Sequence, residues 1–114
     1  MNLVLLKHED FIAEGLVRLT GRRQRHLRDI LKAEPGQQLR VGLLDDRIGY
    51  GTVTALDDES AELRVLLDDA PPPPRNATLI LALPRPKVCR RLLQAVTAMG
   101  VKRIVLLNTW RVEK

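Results

Sequence analysis

The chain has 114 residues, of which 45% are hydrophobic and only 3% aromatic, so it can bury a core that must be aliphatic. This length accommodates one compact domain, or a small domain with part of a second, and excludes a large multidomain enzyme. Lys and Arg (19) outnumber Asp and Glu (14), which gives a formal net charge of +5.

Residues 1–70 alternate between apolar and polar positions, a pattern typical of half-buried strands. Five strands are predicted, over residues 2–6, 16–19, 39–43, 50–56 and 61–67. A sheet of five short strands satisfies its edges most easily by curling into a small barrel. One helix, predicted from about Arg22 to Ala33, interrupts the strands: Thr20 can cap it, and Pro35 disfavours helical geometry just beyond it.

Four consecutive prolines, Pro71 to Pro74, place a linker at residues 71–75, because proline neither continues a helix nor donates to a sheet. Beyond it, residues 77–83 and 101–107 are nearly continuous apolar runs, as in strands buried on both faces. Apolar residues at helical spacing lie between the runs, and Gly100 ends that helix. The pattern predicts a βαβ segment over residues 76–114 that is too small to cover its own sheet. The predicted fold class is therefore α+β.

Six basic side chains lie on the first predicted helix: Arg22, Arg23, Arg25, His26, Arg28 and Lys32. On a helical projection, Arg22, Arg25 and Lys32 cluster opposite the stripe formed by Leu27, Ile30 and Leu31. Guanidinium groups match phosphate oxygens, so this helix is a candidate track for a nucleic-acid backbone. The alternative is a solvated helix face, whose charge Asp29 and Glu34 partly offset.

A second basic group follows the first apolar run after the prolines and comprises Arg85, Lys87, Arg90 and Arg91. The carboxyl end of a parallel strand and the amino end of the next helix together favour anionic ligands. This group is the second candidate RNA-binding site, with ordinary surface as its alternative.

The sequence indicates neither a metal site nor a secreted or membrane protein. His8, His26 and Cys89 do not have the spacing of a zinc site, and a lone cysteine cannot form an intramolecular disulfide. The amino terminus lacks the pattern of a signal peptide, and no apolar stretch approaches the ~20 residues that span a bilayer. We therefore expect a reduced, cytoplasmic protein with no membrane partner.

Several motifs resemble a known enzyme family when they are taken in order. They are Arg25 to Lys32 with Pro35 to Leu39, then Leu81 to Lys87, Gln94 to Val101 and Trp110 to Lys114. This arrangement resembles the amino-terminal half of the bacterial 16S ribosomal RNA uridine N3-methyltransferases of the small subunit. The four-proline boundary lies where that family changes domain.

The resemblance implies a PUA-like RNA-binding barrel in residues 1–70 and the first βαβ unit of a SPOUT α/β-knot methyltransferase domain in 76–114. It further implies a parent that uses S-adenosylmethionine, needs no metal, acts as a homodimer, and takes small-subunit rRNA or the ribosomal subunit as its partner. Arg111 would lie near the catalytic site, whereas the other catalytic residues and the cofactor pocket would lie outside this chain. Ala95 and Ala98 stand where many members carry Lys and Glu.

The sequence therefore predicts the amino-terminal part of an rRNA methyltransferase that binds RNA but is inactive by itself. Two alternatives stay open: a non-enzymatic RNA-binding module, and an interaction domain whose basic charge serves solubility.

Overall fold

A computed structural model describes residues 3–110, which belong to two compact units. The first unit comprises Met1–Pro71 and the second Pro72–Lys114. The mixed α+β composition predicted from the sequence is confirmed in this structure. None of the described helices is long and apolar enough to cross a membrane.

The first unit is a curled six-stranded sheet with one short helical segment. Its strands are β1 (Val4–Leu6), β2 (Phe11–Ala13), β3 (Leu16–Thr20), β4 (Gln38–Leu43), β5 (Ile48–Leu56) and β6 (Ser60–Asp69). A 3-10 turn (His8–Asp10) precedes β2, and helix α1 (Gly21–Arg25) continues directly into a π-helical turn (His26–Ile30) after β3. The strand order is β1-β4-β5-β6-β3-β2, in which only the β1–β4 pair is parallel.

Alternation along the strands builds the core on one face of this sheet. In β3, for example, Val17 and Leu19 are fully buried while Arg18 between them is exposed. The same rule directs aliphatic side chains of the other strands inward, and Leu27 of the π-helical turn joins them. All the buried apolar residues among those described lie in this unit.

A glycine in β5 permits the sheet to bend. The pairing of β5 with β6 shifts register between Ile48 and Tyr50, and such bulges increase the local twist. A Cβ atom at Gly49 would fall on the carbonyl oxygen of Leu66, so only glycine allows this close approach.

Two features of the first unit differ from the sequence prediction. Strand β2 was not predicted, because three residues with little burial give no recognisable period. The helix predicted over 22–33 is wrong in extent: α-helical geometry ends at Arg25, the π-helical turn ends at Ile30, and Lys32 has a φ of 48°. The Ala33 side chain is buried instead, and its N–H group donates to the Leu27 carbonyl (2.9 Å), which replaces further helical turns.

The second unit is the predicted βαβ segment. Its elements are β7 (Arg75–Ala82), α2 (Pro86–Ala98) and β8 (Val101–Leu107). The strands pair in parallel, with Leu79 opposite Ile104. Gly100, at a φ of 85°, makes the turn between α2 and β8 that residues with a Cβ rarely adopt.

No residue between 72 and 110 is buried, although this segment is rich in apolar side chains. The apolar stripe of helix α2 is wide. Cys89, Leu93 and Val96 are half-buried, whereas Val88 (46% exposed) and Met99 (68% exposed), which caps the helix, lie beside them toward solvent. On β7, Ile80 is 64% exposed. These elements therefore present apolar surface on more than one side.

The uneven distribution of the core leads to a prediction about autonomy. Residues 1–72 expressed alone should unfold in one cooperative transition, because that segment contains every buried apolar side chain among the described residues. Residues 75–114 alone should be unfolded or aggregated, since they bury too little apolar surface to offset chain entropy. Circular dichroism melts of both fragments test this, and a cooperative, monomeric 75–114 fragment would contradict it.

Candidate nucleic-acid interface

Two buried side chains hold the helical segment of the first unit against the sheet. Gln24 is 1% exposed, and its Nε2 donates to the carbonyl oxygen of Asp57 at 2.5 Å. One turn later, Leu27 (1% exposed) enters the core. These contacts fix which face of the segment points to solvent.

Arg23 of the basic cluster is committed to an internal ion pair. Both of its terminal nitrogens donate to the carboxylate of Asp10 at 2.6 Å, and Nη1 also donates to the Leu5 carbonyl at 3.0 Å. Burial by itself would raise the pKa of Asp10. The hydrogen bonds from Arg23 and from the Lys7 N–H group, with the nearby positive charges, outweigh burial and hold that pKa below its ordinary value.

Arg28 is also paired, but at the surface. It donates to Asp29 through Nε at 2.7 Å and to Asp58 through Nη1 at 2.6 Å. The hydrogen bond from Arg28, reinforced by its charge and that of Arg25, lowers the pKa of Asp29. Because Asp58 is 95% exposed, water screens the outer of these pairs.

The remaining basic residues of the cluster present their side chains to solvent. Arg22, Arg25, His26 and Lys32 are exposed, and within residues 3–110 none of them makes a side-chain hydrogen bond or ion pair. Arg22, Arg25 and His26 share one side of the segment and line a surface groove, whereas Lys32 lies beyond its end. The structure thus divides the predicted track into two paired arginines and four exposed basic residues.

The unpaired charges of Arg22, Arg25 and Lys32 contrast with the net charge of their own unit. Residues 1–71 contain ten Lys and Arg but thirteen Asp and Glu, so the first unit carries a net charge of −3. A cluster of unpaired cations on a net acidic unit is a local feature. The overall charge of the unit, which is negative, does not account for this positive cluster.

The excess positive charge of the chain lies in the second unit. Residues 72–110 contain seven Lys and Arg and no Asp or Glu. The four predicted ones, Arg85, Lys87, Arg90 and Arg91, are exposed at the start of α2 and along its polar face. Three further exposed cations, Arg75, Lys102 and Arg103, lie near the amino ends of β7 and β8 and were not predicted. Counting charges separately on each side of the prolines would have revealed them.

The other predicted positions add little to the interface. Arg111 lies outside the described residues. Ala95 and Ala98 are exposed on α2, where Ala95 lines a shallow groove beside Val88 and Leu92. Among residues 3–110, no group of three or more His, Cys, Asp and Glu is arranged to hold a metal ion.

Comparison with solved structures shows that this fold is shared with RNA methyltransferases. The chain superposes on the ribosomal RNA small subunit methyltransferase E of Neisseria gonorrhoeae, bound to S-adenosyl methionine, with a TM-score of 0.73 and 18% identity over 99% of this chain. It matches a probable rRNA-methyltransferase from Porphyromonas gingivalis with a TM-score of 0.72 and 18% identity over 96% of the chain. A putative methyltransferase from Legionella pneumophila, in complex with the same cofactor, gives a TM-score of 0.68 and 18% identity over the whole chain.

The chain spans about half the length of these structures: 48% of the Neisseria chain, 47% of the Porphyromonas chain and 48% of the Legionella chain. No protein-family model matches the sequence, and neither does any curated protein. At these identities the likeness shows a common fold.

Proposed function

We propose that this chain is the amino-terminal part of an S-adenosylmethionine-dependent rRNA methyltransferase that acts on uridine N3 of small-subunit rRNA. In this proposal the first unit is a PUA-like RNA-binding module, and the second begins a SPOUT methyltransferase domain that works as a homodimer. The observation that carries the proposal is the shared fold, which extends over both units at TM-scores of 0.68 to 0.73.

The distribution of charge supports RNA as the partner. The first unit offers unpaired cations at Arg22, Arg25 and Lys32, and the second is basic throughout its described residues. Phosphate contacts supply most of the non-specific affinity for nucleic acids and fix the register of binding. Exposed positive charge on each unit would attract RNA phosphates.

The uncovered apolar surface of the second unit supports its place in a larger domain. A parallel sheet is ordinarily covered by helices on both faces, whereas the described residues of the second unit include one helix, α2, and β7 and β8 bury no residue. Further strands and helices, or a second protomer, would remove Ile80, Val88 and Met99 from water.

Transfer of a methyl group to a ring nitrogen requires that the base be held in line and that its N3 proton be lost. S-adenosylmethionine would supply the methyl group. The described residues of the second unit do not fit this cofactor: a pocket of its size encloses most of the ligand surface, and none of the side chains described in 72–110 is buried. We therefore assign RNA binding to this chain and no step of the chemistry.

The 114-residue chain should for this reason bind no S-adenosylmethionine. Isothermal titration of the cofactor into the purified chain should give only heats of dilution, while RNA still binds in a parallel fluorescence assay. The RNA arm is the internal control for folded protein. Saturable cofactor binding by residues 1–114 would contradict the proposal that the cofactor pocket lies outside this chain.

The activity itself is tested on the complete natural reading frame. Deleting the gene should abolish N3-methyluridine in small-subunit rRNA, measured by nucleoside mass spectrometry, and the full-length gene should restore it where the 114-residue segment does not. Unchanged methylation after deletion would contradict the enzymatic assignment. A reading frame that adds no further domain would favour the non-enzymatic RNA-binding module.

A further inference from the structure

A groove of about 800 Å³ lies between strand β1 and the helical segment of the first unit. Its apolar lining includes Leu3, Leu5 and Ile30, which are 51%, 45% and 68% exposed. Val4 and Leu6 point into the core, so the alternation of a strand turns Leu3 and Leu5 outward. Leu3 and Leu5 are thus apolar side chains at solvent-facing strand positions, which are ordinarily occupied by polar residues.

The π-helical turn brings the third of these side chains to the groove. The Leu31 N–H group donates to the carbonyl of His26 at 3.0 Å, a wider ring than that of an α-helix. This local unwinding leaves Ile30 exposed while Leu27 is buried. Single π-helical turns of this kind occur frequently at functional sites.

Two arginines and a histidine surround this apolar lining. Arg22, Arg25 and His26 line the groove, and none of them makes a side-chain hydrogen bond within the described residues. Asp29, the carboxylate that also lines it, is neutralised by Arg28 at 2.7 Å. The groove therefore combines an apolar surface with positive charge, although its unit is net acidic.

The edge of β1 beside the groove is unsuited to an added peptide strand. Arg23 donates to the carbonyl of Leu5 at 3.0 Å and is itself held by Asp10. An incoming strand would have to displace this arginine from both partners. The occupant must then be recognised by its charge and an apolar face.

We propose that the groove binds an unpaired nucleotide of RNA, an inference that rests on the RNA-binding function proposed above. The base lies against Leu5 and Ile30, and Arg22 and Arg25 contact the flanking phosphates. A groove of this volume falls within the ~300–1,000 Å³ of small-ligand sites. Bases in a duplex are stacked out of reach, so the proposal assigns loops or single strands as the preferred target.

The test compares two RNA hairpins by fluorescence anisotropy with the 114-residue chain. They share stem and backbone, but one carries a mixed-sequence loop and the other an abasic loop. The chain should bind the hairpin with the mixed-sequence loop about tenfold more tightly than the hairpin with the abasic loop. A tenfold difference is the effect expected from burying one apolar side chain against a base. Ile30→Ser should reduce the ratio of the two affinities to nearly one, while the dependence of RNA affinity on salt concentration stays the same.

Ile12→Ser is the matched control, because Ile12 is an equally apolar, 45% exposed residue of the same unit that does not line the groove. It should leave the ratio unchanged. Equal affinity of the wild-type chain for both hairpins would overturn this inference while leaving RNA binding intact. Failure to bind either hairpin would overturn the proposed function as well. A ratio that survives Ile30→Ser would show that the base lies elsewhere.

Discussion

Replacing Arg22, Arg25 and Lys32 together with Ala should weaken binding to structured rRNA fragments by roughly one hundredfold at physiological salt. These three side chains are exposed and carry no ion pair within residues 3–110, so their charges are available to phosphates. Each lost phosphate contact should reduce the slope of log affinity against log salt by ~0.7–0.9. Fluorescence anisotropy over a series of salt concentrations measures both quantities.

A second triple variant, Arg18→Ala, Arg47→Ala and Arg64→Ala, removes the same net charge from exposed positions elsewhere on the first unit. It should retain most of the affinity and a nearly unchanged slope. If both variants lose affinity equally, binding responds to overall charge and the helical segment is not the contact surface. If the first variant shows an unchanged slope of log affinity against log salt, the RNA phosphates contact another part of the chain.

Asp10→Asn should lower the free energy of unfolding by about 2 kcal/mol. This is less than the full cost of breaking a buried ion pair, because Asp10 is buried but water partly screens the charge of Arg23. Asp10 is 6% exposed, and it accepts hydrogen bonds from Arg23 and from the backbone of Lys7. The Asn side chain keeps the shape but leaves the Arg23 charge without its partner. Urea denaturation at neutral pH measures the difference.

The pH dependence of stability follows from the same pair. The folded-state pKa of Asp10 lies below its ordinary value of 3.8, so between these two values the unfolded state binds more protons. The contribution of Asp10 is therefore fully present above about pH 4 and is lost as the pH falls through the folded-state pKa. Asp10→Asn should show a smaller loss of stability on acidification than the wild-type chain. Part of the loss should persist, because the pKa of Asp57 is also lowered, by hydrogen bonds from the backbone of Ser60 and Glu59.

Asp58→Asn is the matched control, since Asp58 also pairs with an arginine of the basic cluster but is 95% exposed. It should change the free energy of unfolding by less than about 0.5 kcal/mol. Equal stability of Asp10→Asn and the wild-type chain at neutral pH would show that the Arg23 pair does not stabilise the fold.

The sequence alone predicted most of the secondary-structure elements in their order along the chain. Period-two alternation predicted five of the strands in the first unit, and continuous apolar runs around a helical pattern predicted β7, α2 and β8. These signals are strong because alternation and helical spacing directly encode which side of an element is buried. The short strand β2 and the end of the first helix escaped prediction, because both depend on what packs against them.

Only the tertiary structure decided which of the basic residues are available to a ligand. Arg23 and Arg25 look alike in the sequence, but the chain brings Asp10 to one of them and solvent to the other. Likewise, helical spacing placed Ile30 in one apolar stripe with Leu27, whereas in the structure Leu27 is buried and Ile30 lines a groove with Leu5. Partners that lie 13 to 30 residues apart in the chain, as for Arg23 with Asp10 and Arg28 with Asp58, leave no local periodicity. Their pairing is set by how the sheet curls, a property of the whole fold.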